Sequence, residues 1–158
     1  MWISEHLLEH DLDEATPLLA AVAPHDLAGF RHTVRRWLAD NRSGAMMVRT
    51  ESGCIFALVL FRELATPRAV GIHWLRHVEI GHPRATTSWL LEAFFETAHN
   101  AGSGSVWIAG NASNSQSFRQ HLDTGPGIEC GFRPFAGGWI SQLPEFSKEL
   151  RTQLFSGP

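Results

Sequence analysis

Tyrosine is absent from this chain of 158 residues, although ten phenylalanines and six tryptophans are present. A reaction that uses a phenol as its proton donor would therefore have to recruit another side chain here. Cysteine is scarce as well, because Cys54 and Cys130 are the only two and lack the spacing of a metal site. We expect both to be buried free thiols, as is usual in a reducing compartment.

Other absences limit the possible partners and location. The formal net charge is only −3, with acidic and basic residues interspersed, which predicts no nucleic-acid partner and no membrane partner. The longest apolar run, from Cys54 to Phe61, is too short to span a bilayer. The acidic segment from Met1 to Glu14 lacks the basic start and the cleavage site of a secretory signal. We therefore predict a cytoplasmic protein that forms one domain over residues 1–158.

The chain does contain a strand, a helix and a second strand in close succession. The sequence predicts a strand over Arg68 to Ile80, a helix over about Arg84 to Ala101 and a strand over Ser105 to Ala109. Strands joined by such a crossover run parallel, and ligands usually bind beside their carboxyl ends and the helix N-terminus. We therefore expect a ligand to meet residues 79–88.

The long strand alternates along its length, which predicts two faces with different residues. One predicted face carries Val70, Ile72, Trp74, Val78 and Ile80. The other predicted face carries Gly71, His73, Leu75, His77 and Glu79. Both histidines and the glutamate are thus predicted to lie on the same side.

The rest of the chain predicts helices and antiparallel strands around this unit. The predicted strands cover residues 2–6, 45–50, 54–63, 129–136 and 138–142, and the predicted helices cover 12–22, a stretch after an Asp26 cap, 115–122 and a tail over 143–158. Residues 123–128, with two glycines and a proline, are predicted to be a loop. The apolar stripe of the tail is predicted to pack on the domain, with a homodimer as the alternative.

One spacing near the C-terminus is similar to a motif of a known family. Asn114, Ser117 and His121 keep the spacing of Asn-x-x-Ala/Ser-x-x-x-Tyr, in which some subfamilies have His for Tyr. The dipeptide Gly131-Phe132 and Trp139 in a last strand follow in the same order. With the element order, these residues resemble the GNAT acyltransferases. The resemblance implies an α/β fold with a mixed, mostly antiparallel sheet of six to seven strands and helices on both faces.

The resemblance also implies an activity and a co-substrate. GNAT enzymes move an acetyl group from acetyl-coenzyme A to an amine, so the implied partners are a coenzyme A thioester and an amine of a small molecule or peptide. The family's Gln/Arg-x-x-Gly-x-Gly/Ala motif falls on His82, Ala85 and Thr87, which include no glycine. Free amides at the helix N-terminus still offer a place for the phosphates. The implied cofactor-binding residues are His82, Arg84, Ala85, Thr86, Thr87, Ser88, Asn114 and Ser117.

The implied catalytic residues are a base on the long strand and an acid on the following helix. Glu79 is the first choice for the base because it lies nearest the carboxyl end of the strand, with His77 and His73 as alternatives. A bulge in this strand would change its phase and bring Arg76 or Val78 inward. His121 stands where the family often has its tyrosine and is the implied acid.

Two other interpretations remain open. The missing glycines favour a catalytically silent GNAT-like module with a binding or regulatory role. His77, Glu79 and His121 are also the ligand types of a two-histidine, one-carboxylate iron site. The transferase interpretation requires a gap between the far ends of the two crossover strands. A cleft at residues 85–88 plugged by the protein's own side chains, or strands that pair without such a gap, would overturn it.

Overall fold

A computed structural model describes residues 2–142, and these form one seven-stranded sheet flanked by helices. The strands run in the spatial order β1-β2-β3-β4-β5-β7-β6. Neighbouring strands are antiparallel except β4 and β5, which pair in parallel as predicted. The strands are β1 (Trp2–His6), β2 (Ser43–Thr50), β3 (Ile55–Ala65), β4 (Arg68–His77), β5 (Ser105–Ala109), β6 (Arg133–Phe135) and β7 (Gly138–Gln142).

Six α-helices occur in the described chain and pack on both faces of the sheet. They are α1 (Leu12–Val22), α2 (Pro24–Leu27), α3 (Phe30–Leu38), α4 (Pro83–Asn100), α5 (Gln116–Asp123) and α6 (Pro126–Glu129). The first and third helices share a core with β2 and β3, whereas α4 and α5 cover the opposite face. The described helices include none with the length and apolar composition that crossing a bilayer requires.

The central helix α4 is fixed on the sheet by a stripe of apolar side chains. Leu90, Leu91, Phe94 and Ala98 are fully buried against the sheet. Burial of a large apolar side chain contributes about 1.5–3 kcal/mol, so this stripe holds α4 firmly on β4 and β5. The predicted helix range differs from the observed one by a single residue at each end, because His82 caps the helix and Pro83 begins it.

The predicted alternation of β4 is wrong beyond residue 72, because the strand contains a bulge. Leu60 pairs with Trp74 and Phe61 pairs with Ile72, which leaves His73 as an extra residue in β4. The extra residue reverses the side-chain phase, so Leu75 joins the core beneath α4 while Trp74 joins the core beneath α1 and α3. The two histidines therefore do not share a face.

Several boundaries also differ from the prediction. β4 ends at His77 rather than Ile80, since the following residues turn into α4. Asp26 caps no long helix but lies in the short helix α2 and pairs with Arg76. Residues 126–129 form the helix α6 in place of a loop and the start of a strand. Cys130 is buried as predicted, but Cys54 is exposed at a hairpin turn. The predicted tail over 143–158 lies outside the described residues.

Candidate functional site

The turn from β4 into α4 is held together by a threonine. The buried Thr86 hydroxyl accepts the Ile80 N–H at 2.8 Å and lies 3.0 Å from the Ile80 carbonyl oxygen. Both backbone groups that would otherwise be unpaired at the end of the strand are thus satisfied. Thr86 therefore serves the turn, and its hydroxyl is not directed to a ligand.

The first turn of α4 offers few free amides to a phosphate. The Arg84 N–H donates to His82 Nδ1 at 3.1 Å, and the Thr86 N–H donates to the His82 carbonyl at 3.1 Å. Pro83 has no N–H to offer. Within the described chain, Ala85 is therefore the one residue of this turn whose N–H has no acceptor. The Ser88 hydroxyl donates to the Arg84 carbonyl at 3.1 Å. A helix N-terminus binds anions through several amides together, so the predicted phosphate site is here largely satisfied by the protein itself.

The charge of Arg84 is also already paired. Its guanidinium forms a salt bridge with Glu129 of α6, and about half of each side chain is exposed. Exposed ion pairs are weak, so a phosphate could compete for this guanidinium. Of the predicted cofactor-binding residues at this helix end, Arg84 is thus the one whose charge a ligand can still recruit.

The carboxyl end of β4 brings a histidine and a glutamate together. His77 Nε2 lies 3.4 Å from Glu79 Oε1, and the side chains are 1% and 35% exposed, respectively. The imidazole packs edge-on against Phe118 of α5, and its Nδ1 is buried without a hydrogen-bond partner in the described chain. Burial lowers the pKa of His77, although the Glu79 carboxylate opposes this effect. The pair therefore joins a buried neutral imidazole to a solvent-accessible carboxylate.

The third predicted candidate for the base, His73, lies elsewhere. Its ring contacts Trp37 of α3 and Trp107 of β5, each with ring centroids 5.5 Å apart. Burial, together with the charge of Arg62, lowers the pKa of His73. As the bulge residue it points away from the His77 and Glu79 pair, so the structure does not bring all three residues together.

The motif residues Asn114, Ser117 and His121, which lie in α5 or just before it, make different contacts from one another. His121 Nδ1 lies 3.3 Å from the Thr87 hydroxyl, which links α5 to the first turns of α4. The Asn114 amide donates to the Val22 carbonyl of α1 at 3.0 Å, and Ser117 is half-buried on α5. Within residues 2–142, no three His, Cys, Asp or Glu side chains are grouped as a metal site needs, so the predicted iron site is not formed.

The gap between β4 and β5 is closed in the structure. The strands pair from Val70 to Ile72 and then separate, but the Leu75 N–H donates to the Ala112 carbonyl at 2.9 Å. The Arg76 guanidinium donates to the Leu75 and Ala112 carbonyls, each at 2.8 Å. In this conformation these hydrogen bonds span the place where the two strands separate.

From the sequence, Arg76 was expected to turn inward only if the strand contained a bulge. The bulge at His73 does bring Arg76 inward. The partner of Arg76 was missed, because Asp26 precedes it by 50 residues and resembles a helix cap in the sequence. Their ion pair, with 2.9 Å between Arg76 Nε and Asp26 Oδ2, carries no local sequence signal.

Comparison with known proteins identifies the fold. No protein-family model and no curated protein matches the sequence. Among solved structures, a ribosomal-protein-alanine N-acetyltransferase from Brucella melitensis matches with a TM-score of 0.57 at 17% identity, over 78% of this chain and 89% of that one. An aminoglycoside 6'-N-acetyltransferase from Acinetobacter baumannii matches with a TM-score of 0.56 at 10% identity, over 78% and 88% of the two chains.

A third match was solved with ligands bound. The spermidine N-acetyltransferase from Vibrio cholerae, in complex with CoA and spermine, matches with a TM-score of 0.61 at 11% identity. The match covers 88% of this chain and 91% of that one. Identities this low establish shared architecture and not shared chemistry. The chain has the fold of the GNAT acetyltransferases.

Proposed function

We propose that the protein is an N-acetyltransferase that moves an acetyl group from acetyl-coenzyme A to an amine of a small molecule or peptide. The observation that carries this proposal is the pair formed by His77 and Glu79 at the carboxyl end of β4. The GNAT fold supports the same reaction class, as does the position of the pair beside the N-terminus of α4.

The pair is costly for the fold, which favours a functional role. An unsatisfied polar atom that is buried costs about 1–3 kcal/mol, and His77 Nδ1 is such an atom among the described residues. A leucine at this position would pack on Phe118 without that cost. A buried histidine whose pKa is shifted, beside a carboxylate, occurs preferentially at active sites.

The two residues have distinct roles in the proposed reaction. Glu79 is exposed enough to reach a bound ammonium group and accept its proton, which leaves the amine free to attack. His77, whose Nε2 lies 3.4 Å from Glu79 Oε1, positions the carboxylate. His121 takes the role of proton donor to the leaving thiolate, because the chain has no tyrosine.

A second function is favoured by a different observation. The Leu75 and Arg76 contacts to Ala112 close the β4 and β5 gap, and the first turn of α4 satisfies most of its own amides. Both features fit a catalytically silent GNAT-like module with a binding or regulatory role. Such a module would retain the fold and would not bind acetyl-coenzyme A.

Steady-state release of coenzyme A thiol in the presence of a panel of amines separates these functions. We expect turnover by the wild type and a kcat about 10²- to 10⁴-fold lower for Glu79→Gln. The matched control is Glu96→Gln, which changes an exposed glutamate on the distal half of α4. Equal turnover by Glu79→Gln would remove Glu79 from the mechanism. Absence of turnover with every amine, together with no thermal shift from acetyl-coenzyme A, would favour the silent module.

A further inference from the structure

An ion pair between two distant parts of the chain spans the place where β4 and β5 separate. Arg76 Nε lies 2.9 Å from Asp26 Oδ2, and the two side chains are 14% and 36% exposed. The same guanidinium donates to the carbonyls of Leu75 on β4 and of Ala112 after β5. One side chain therefore joins α2 to both sides of the gap.

The three contacts of Arg76 depend on one another. The guanidinium carbon lies 4.8 Å from the centre of the Trp74 ring, so the side chain is held over that ring as well as by its hydrogen bonds. A planar guanidinium can meet a carboxylate and two carbonyls at once only in a single orientation. Loss of the Asp26 contact should therefore loosen the contacts to both strands.

The element that supplies Asp26 is weakly anchored. α2 has four residues, none of them fully buried, and its contact with the core beneath α1 and α3 is made by the partly buried Leu27. Segments with few buried apolar contacts open locally at low free-energy cost. Within residues 2–142, the Asn114 amide also ties this corner to the chain after β5, because it donates to the Val22 carbonyl just before α2. Movement of α2 would release Arg76 without disturbing the core beneath α4.

We propose that Asp26 and Arg76 form an autoinhibitory latch that holds the β4 and β5 gap closed against the pantetheine arm of a coenzyme A thioester. This inference rests on the proposed transferase function. If the thioester binds only to the open state, the apparent affinity is the affinity of that state multiplied by the fraction of molecules that are open. A variant with a weaker latch should accordingly bind more tightly than the wild type.

Calorimetric titration of the full chain with acetyl-coenzyme A tests the latch. We compare the wild type with Asp26→Asn, which removes the charge but keeps the shape, and with Arg76→Lys, whose single nitrogen cannot keep both the Asp26 contact and the carbonyl contacts that Arg76 makes from separate nitrogens. The control is Asp13→Asn, which breaks a surface ion pair between Asp13 of α1 and Arg31 of α3. We expect both latch variants to bind about 5- to 100-fold more tightly than the wild type and the control to match it.

Amide exchange at Leu75 provides a readout that needs no ligand. We expect its N–H, bonded to Ala112 in the closed state, to exchange faster in Asp26→Asn than in the wild type.

If the wild type binds the thioester and neither latch variant binds more tightly, the latch is wrong while the transferase proposal stands. If no folded variant binds at millimolar ligand, the transferase proposal fails and the latch fails with it. An unchanged exchange rate at Leu75 would also overturn the latch.

Discussion

Burial lowers the pKa of both His77 and His73, although they lie on opposite faces of β4. Below about pH 6.5 the unfolded chain binds protons at these positions more readily than the native chain does. The two buried rings therefore contribute their full stabilisation at pH values above the pKa of histidine in the unfolded chain. This stabilisation is lost as the pH falls below that pKa toward the lower pKa values of the folded chain.

We predict that the free energy of unfolding decreases between about pH 7 and pH 5, and that the double variant His73→Gln/His77→Gln shows a shallower decrease. Denaturant unfolding at a series of pH values measures this slope. His99→Gln, on the exposed last turn of α4, is the control and should keep the wild-type slope. A double variant with the full wild-type slope would show that neither histidine is held neutral in the fold.

Thr86 gives a second prediction for a single residue. Thr86→Val keeps the shape but leaves the Ile80 N–H without the hydroxyl that accepts from it. We expect a loss of about 1–3 kcal/mol in the free energy of unfolding, measured with denaturant. Thr33→Val on the exposed side of α3 is the matched control and should cost far less. Equal losses in the two variants would mean that Thr86 does not hold the turn.

At the level of elements, β5 and β7 are held so closely that one glycine has no room for a side chain. A Cβ at Gly138 would collide with the Ile108 carbonyl of β5. We predict that Gly138→Ala costs about 1–3 kcal/mol of unfolding free energy, since the backbone must move. Gly29→Ala, where a Cβ meets open space before α3, should change stability by no more than about 0.5 kcal/mol. Similar melting temperatures for the two variants would contradict the close strand pairing.

The elements also show what local sequence determines. The α4 stripe and its cap region lie within one continuous segment, so periodicity located the helix to within one residue at either end. The alternation of β4 failed at His73 because a bulge depends on how the neighbouring strand β3 pairs. Periodicity within one strand carries no information about the register with its partner. The predicted common face of His73, His77 and Glu79 was wrong for this reason.

At the level of the whole molecule, the order of helices and strands was sufficient to predict the fold. The sheet has seven strands, mixed and mostly antiparallel, with helices on both faces, as the resemblance implied. The conformation of the candidate site could not be predicted in the same way. Its closure depends on Asp26 and Arg76, which only tertiary packing brings together. The roles of Glu79, His77 and His121 remain predictions.

Titration of the ¹⁵N-labelled chain with acetyl-coenzyme A, followed by amide chemical shifts, tests the central claim most directly. We predict saturable shifts at Leu75 and Arg76 on β4 and at Ala85 in the first turn of α4. These amides border the strand gap and the helix end where the ligand should bind. Unchanged spectra at millimolar ligand, or shifts confined to other parts of the chain, would contradict the claim that this edge of the sheet is an acetyltransferase site.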